Sequence, residues 1–304
     1  MSYRDDPTAE LAWTGERYLP FVHGDIELEH LHRYAFAREF VKGKDVLDIA
    51  CGEGYGSFLL ADHAKSVIGV DISDEVIRHA RNKYAISNLK FEQGDCLCIP
   101  IKDNSIDIVV SFETVEHHDQ HDKMLSEIKR VLRPGGILVI STPERSQMSK
   151  ISQQRNEFHV KELSYSEFAG LLSRYFKHSI FFGQRIRYGS LISHMDRNEN
   201  QGTFSFYSGD CKSITSNFYA PEPLFLLAVA SEYIFPLTNR SFFDGSHIFD
   251  SKLAKMTTDR DVLATEIARI KATASWRITK PLRFIDFLRR QIAQAFRHRN
   301  TLHK

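Results

Sequence analysis

Between residues 45 and 142 five short apolar runs alternate with helical patterns, and few architectures accept that order. The runs are DVLDIA (45–50), SVIGVD (66–71), LKFEQGD (89–95), SIDIVVSFE (105–113) and ILVIST (137–142). A strand covered on both faces, as in a parallel sheet, reads as such a run rather than as an alternation. Helical text follows the first run from Ser57. Ser73 can cap the next helix, with Asp74 and Glu75 in its first turn where the helix dipole favours acids. HDKMLSEIKRVLRPGG (121–136) reads as a helix closed by Pro134 and Gly135. Strands joined by crossover helices build a doubly wound sheet, and its ligands sit beyond the carboxyl ends of the strands.

The remaining chain extends that sheet. SYSE (164–167) is a capping box before a helix ending near Tyr175. FKHSIFFGQ (176–184) and PLFLLAVASEYIF (223–235) read as two more strands, making seven. The expected fold is α/β, mostly parallel. Residues 186–220 between the last two strands are polar and aromatic and read as an insertion or lid. Upstream, residues 1–40 carry GERYLP (15–20) and a helical EHLHRYAFAREF (29–40).

Composition bounds the class. At 42% hydrophobic and 26% charged, 304 residues can build a real core. Net charge is +1 but uneven: residues 252–304 hold 13 Lys/Arg against 4 Asp/Glu, net +9, which leaves the first 251 residues at −8. Cys51, Cys96, Cys98 and Cys211 are too few and scattered for a disulfide framework, and the C-x-C pair lacks partners for zinc. MSYRDDPTAE has no apolar segment of a signal peptide, and no apolar run reaches about 18 residues. A cytoplasmic location is expected, with a peripheral position at the inner membrane face open through the basic tail.

The turn after the first run, VLDIACGEGYG (46–56), spaces its glycines G-x-G-x-G at Gly52, Gly54 and Gly56. A dinucleotide turn would read G-x-G-x-x-G. Glycines there let backbone approach a ligand closely. Asp71 ends the second run, 19 residues after Gly52, where a carboxylate can accept two ribose hydroxyls. VLDIACGEGYG, VIGVDIS, FEQGDCLCIP, IDIVVSFETVEH and EIKRVLRPGGILVIST follow one another in an order that resembles the class I S-adenosylmethionine-dependent methyltransferases, over residues 41–145. The flanking GERYLP…EHLHRY and NEFHVKEL (156–163) resemble a subgroup among bacterial surface-polysaccharide and related small-molecule methyltransferases.

The resemblance implies a Rossmann-like domain over 41–240, capped by residues 1–40, with S-adenosylmethionine as cofactor. It places Asp48 near the methionyl amino group, Gly52 and Gly54 at the cradle, Asp71 on the ribose and Ile72 on the adenine face. Asp95 with Cys96 falls at the adenine amino group, Phe112 beside the cofactor, and Arg33 on the methionine carboxylate. Ala50 stands where the family most often has glycine. FETVEH then falls on the methyl-acceptor side. A hydroxyl acceptor gains from a base, because its proton leaves as the C–O bond forms. His117 titrates in the right range and is the first candidate; His118 and His159 are rivals, and Glu113 is a contact to the methionyl end or acceptor. His117, His118, Asp119, His121 and Asp122 could bind metal by composition, but consecutive loop residues rarely converge, so no metal is expected.

Residues 251–304 read as a helical tail. From 275 to 297, Ile278, Leu282, Ile285, Leu288, Ile292 and Phe296 recur at helical spacing among Arg283, Arg289, Arg290 and Arg297. Such a helix can lie on an anionic membrane or dock on a protein partner. Nothing suggests nucleic acid: no basic surface with stacking aromatics is evident. The sequence reading is therefore an O-methyltransferase acting on a small-molecule or glycan acceptor, with a sugar hydroxyl of a bacterial surface polysaccharide or its precursor favoured. A quinone or other membrane acceptor is the first alternative, and an assembly protein that keeps the fold without turnover the second.

Overall fold

The computed structural model describes residues 11, 17–151, 156–187, 206–209, 213–217, 222–235, 241–279 and 289. It divides into two units, Met1–Phe243 and Asp244–Lys304. The first opens with α1 (Asp25–Ala37) and then alternates β1 (Asp45–Ile49), α2 (Tyr55–Ala61), β2 (Ser66–Asp71), α3 (Asp74–Lys83), β3 (Leu89–Gln93), β4 (Ile106–Ser111), a 3-10 turn Val115–His117, α4 (His121–Val131) and β5 (Leu132–Pro143). It continues with α5 (Arg145–Ile151), α6 (Tyr165–Ser173), β6 (His178–Gln184), a ribbon of β7 (Phe206–Gly209) and β8 (Ile214–Asn217), and β9 (Phe225–Ser231).

The seven-stranded sheet runs β3-β2-β1-β4-β5-β9-β6. Six strands run in one direction, and β9 alone runs antiparallel, between β5 and β6. The chain winds outward from β1 to β3, then returns to place β4 on the other side of β1. That reversal parts the loops after β1 and β4 and opens a crevice at their carboxyl ends.

Side chains alternate between two cores. Val46 of β1, with Ile108 and Val110 of β4, packs against Phe36, Ala37, Leu60, Ile77 and Ala80 of α1–α3. Leu47, Ile49 and Val109 face Met124, Leu125, Ile128, Phe168 and Leu172 of α4 and α6. Ser73 caps α3 and Ser164 with Glu167 forms the capping box of α6, both as the sequence implies. One boundary differs. The helix read through Pro134 and Gly135 stops at Val131, because Leu132 already pairs with Ile106 as the first residue of β5. The insertion at 186–220 contains, where described, the antiparallel ribbon β7–β8.

The second unit holds α7 (Ser246–Ala272) and α8 (Ala274–Ile278). Phe249, Leu253, Met256, Leu263, Ile267 and Ile270 of α7 are exposed. The basic amphipathic segment at 275–297 lies largely outside the described residues. Among the described residues no helix is long and apolar enough to cross a membrane.

Candidate functional site

The turn after β1 is built from left-handed backbone. Ala50, Gly52 and Gly54 have φ of 56°, 55° and 96°. The two glycines serve different ends. A Cβ on Gly52 would meet nothing within 4 Å, so its face is open to a ligand. A Cβ on Gly54 would lie 2.9 Å from Ala80 Cβ and the Phe91 ring, so Gly54 permits close packing against α3 and β3 rather than lining the slot. Ala50 takes a left-handed conformation that costs a non-glycine residue about 1 kcal/mol.

Asp71 ties the turn to β2. One carboxylate oxygen accepts from the Gly52 amide and the other from the Ser73 amide, each at 3.0 Å. Each oxygen keeps lone pairs for further donors. Ile72 next to it is 68% exposed, an apolar wall of the kind an adenine face would cover. Asp95 accepts from the Leu97 amide at 2.8 Å, so it turns the loop after β3. Burial, and then the neighbouring Asp95 carboxylate, push the half-buried Cys96 thiol up to about 12, so it stays protonated.

Asp48 departs from its expected role. It is fully buried, accepts from Ser57 Oγ at 2.7 Å and from the Tyr34 hydroxyl at 3.3 Å, and has no surface open to a ligand. Burial pushes its carboxyl up to about 7. Its contacts make it an anchor that fixes α1 and the start of α2 beneath the turn. Phe112 is buried and meets the Tyr34 ring edge-on at 5.1 Å.

Arg33 lies on α1 yet is only 1% exposed. Its Nε donates to Gln184 Oε1 at 2.8 Å, its guanidinium lies 4.3 Å from the Phe225 ring centroid, and Nη1 is 3.7 Å from Glu113 Oε1. Among the described residues Nη1 is buried without a hydrogen-bond acceptor. Glu113 follows β4 at φ 49° and accepts from Ser141 Oγ at 2.5 Å. A strained acid beside a buried cation with an open donor marks this end of the crevice as poised for an anionic or hydroxyl group.

Glu116, on the 3-10 turn, is fully buried. Thr142 Oγ1 donates to its Oε2 at 3.3 Å, and Oε1 has no partner. Burial, with the Glu113 charge second, drives its carboxyl well above the usual range. The Glu116 carbonyl accepts from the Val160 and Lys161 amides at 2.9 and 3.0 Å, which brings residues 156–162 against the turn. His117 and His159 thereby meet edge to face, centroids 5.3 Å apart. His117 Nδ1 donates to the Phe158 carbonyl at 3.1 Å, and His159 Nδ1 to Glu162 Oε1 at 2.6 Å. A neutral imidazole that donates through Nδ1 carries its lone pair on Nε2.

His118 does not join that pair. Its Nε2 lies 3.3 Å from Met124 Sδ, its ring faces His121, and burial lowers its basicity. The consecutive histidines and acids of 117–122 do not converge. Instead one ligating atom from each of Glu116, His117 and His159 falls within 4.8 Å of the others. Sequence reasoning passed over Glu116 as a partner of His159, and also Gln184, Ser141 and Thr142. Their distance in the chain hides them, and no local pattern marks them.

With this geometry in view, the sequence of the family described as "Methyltransferase domain" matches residues 40–191, half of the chain. The chain belongs to that family. A probable S-adenosylmethionine-dependent methyltransferase of Mycolicibacterium smegmatis is 37% identical over 165 residues, 53% of this chain and 63% of that protein. A fatty-acid O-methyltransferase of the same organism is 32% identical over 142 residues, 44% of this chain and 52% of that protein. The match thus spans less than two thirds of either relative. A solved protein of Pyrococcus horikoshii, 21% identical, shares the fold over 68% of this chain and 92% of its own with a TM-score of 0.50. The first of these relatives is named for S-adenosylmethionine. The residues present fit it: Gly52 has an open face, Ile72 is an exposed apolar wall, and Arg33 keeps an orphan donor.

Proposed function

We propose that the chain is an O-methyltransferase whose acceptor hydroxyl lies against His117 and His159. One observation carries the reading. Two imidazoles, each oriented by an Nδ1 hydrogen bond to a carbonyl or carboxylate, stand together just past β4. Gly52, Asp71, Ile72 and Arg33 would hold the cofactor. When bound, S-adenosylmethionine supplies a methyl carbon already activated by its sulfonium, so alignment and removal of the acceptor proton are what remains for the protein. His117 Nε2 takes that proton; Arg33 and Glu113 position the polar end of the ligands.

The acceptor we favour is a sugar hydroxyl of a bacterial surface polysaccharide or its precursor, supported by the flanking GERYLP…EHLHRY and NEFHVKEL segments. A membrane-borne lipid or quinone is the second reading. The relatives named fatty-acid O-methyltransferase and phthiotriol/phenolphthiotriol dimycocerosates methyltransferase, 32% and 30% identical over 142 residues, favour it.

Calorimetry with S-adenosylmethionine, followed by release of S-adenosylhomocysteine over sugar-nucleotide and lipid acceptors, tests both. His117→Ala should lower turnover by about 10²–10⁴-fold with cofactor affinity unchanged. Asp71→Ala should abolish cofactor binding. Absence of cofactor binding by the intact chain would overturn the reading, and cofactor binding without turnover on any acceptor would favour the assembly protein.

A further inference from the structure

Glu116 poses a problem that its described neighbours do not solve. A fully buried carboxyl group keeps one oxygen without any partner and the other with one long hydrogen bond. Buried polar atoms are nearly always satisfied, and an exception asks for a missing group. The neighbourhood says which kind. His117 and His159 bring one ligating atom each to within 4.8 Å of the Glu116 carboxylate and of each other. The arrangement is held by backbone, since the Glu116 carbonyl accepts from both Val160 and Lys161. Each imidazole also donates Nδ1–H to a fixed oxygen, of Phe158 or Glu162. That outer hydrogen bond is what orients and strengthens a metal-ligating histidine.

We propose that Glu116, His117 and His159 form a binding site for one divalent transition-metal cation of the zinc class. Two imidazoles and a carboxylate select such a cation over magnesium or calcium, which take oxygen donors. A cation on His159 Nε2 would replace the Asn156 amide that now lies 3.1 Å away. Three protein ligands leave a coordination position open. The inference rests on the O-methyltransferase reading for the position of the acceptor and replaces its base: a cation held by His117 occupies the Nε2 lone pair, so that ring no longer takes the proton, and the cation would instead lower the pKa of the acceptor hydroxyl. The O–H proton passes to water, the C–O bond forms, the C–S bond breaks and its electron pair neutralises the sulfonium. Cation binding itself does not depend on that step.

The test uses the full chain, stripped with a chelator and titrated with zinc chloride. Mass spectrometry should find one zinc per chain retained through gel filtration. Glu116→Gln, which keeps the size and the Thr142 contact, and His159→Ala should each lower that affinity at least tenfold with cofactor binding retained. Cobalt(II) should give visible d–d bands in the wild type that both variants lose, a readout that misfolding alone cannot imitate in a variant still binding cofactor. No stoichiometric zinc in the wild type, or equal retention by both variants, would overturn the site. If zinc binds but no acceptor is methylated, the site stands and the acceptor reading falls. If the wild type turns over without binding zinc, the reverse holds.

A separate observation concerns α7. Phe249, Leu253, Met256, Leu263, Ile267 and Ile270 are exposed and spaced four, three, seven, four and three apart, a heptad seam interrupted by Arg260. We infer that a second copy of this helix covers the seam in a parallel coiled coil. In that register Glu266, which now pairs with Arg269 of its own helix, would lie opposite Lys271 of the second copy, the facing of opposite charges that favours a parallel pair. Light scattering should give a dimer for the full chain and a monomer for Leu263→Asp/Ile267→Asp, with cofactor binding unchanged. A monomeric wild type, or a variant that stays dimeric, would overturn this.

Discussion

Single residues around the glycine turn carry opposing costs, and two of them can be measured. Ala50 sits at φ 56° in a position where glycine would be relaxed. Ala50→Gly removes about 1 kcal/mol of strain, and glycine's greater freedom in the unfolded chain returns part of it. The net expectation is a gain of about 0.5 kcal/mol in urea unfolding; a loss of stability would show that the strain is relieved elsewhere. Asp48 has its carboxyl at about 7 in the fold, against the ordinary 3.8 of the unfolded chain. Both states are protonated below about pH 4. Between 4 and 7 the unfolded chain loses the proton first, so stability falls as pH rises, by up to about 4 kcal/mol, and the loss is complete above 7. Asp48→Asn should flatten that fall by one proton, read as a smaller stability difference between pH 5 and pH 8. An unchanged slope would mean that Asp48 is not the titrating group. The turn, Asp71 and Ile72 were legible because their spacing is local. Asp48 reads from sequence as a cofactor contact, whereas in the fold it is a buried anchor, since Tyr34 reaches it from another element.

At the scale of elements, the contact of α1 with α2 decides whether the crevice has a wall. A Cβ on Gly56 would collide with the Tyr34 ring. Gly56→Ala should therefore cost about 1–3 kcal/mol in urea unfolding and weaken cofactor binding, because Tyr34 also holds Asp48. Adding Tyr34→Ala should not add its own cost in full; strict additivity would deny the contact. The third glycine of the G-x-G-x-G string is thus explained by helix packing. Arg33 follows the same logic. From sequence it lies on one helix; in the fold that helix covers the sheet, and the guanidinium reaches Gln184 and Glu113 from 151 and 80 residues away.

For the whole molecule, the sheet, the glycine turn and the cluster of Glu116, His117 and His159 all lie in Met1–Phe243. A chain ending at Phe243 should fold and bind S-adenosylmethionine with the affinity of the full chain, checked by calorimetry and circular dichroism; a loss of binding would assign residues 244–304 to the site. The sequence by itself determined the seven strands, the doubly wound class and the glycine turn, because apolar runs, caps and glycine spacing act over a few residues each; their order in the sheet came from the fold. Only the tertiary structure decided the cluster beyond β4. Glu116, His117 and His159 meet because backbone hydrogen bonds from Val160 and Lys161 fold a distant segment onto one carbonyl, and such a pairing leaves no periodic trace along the chain.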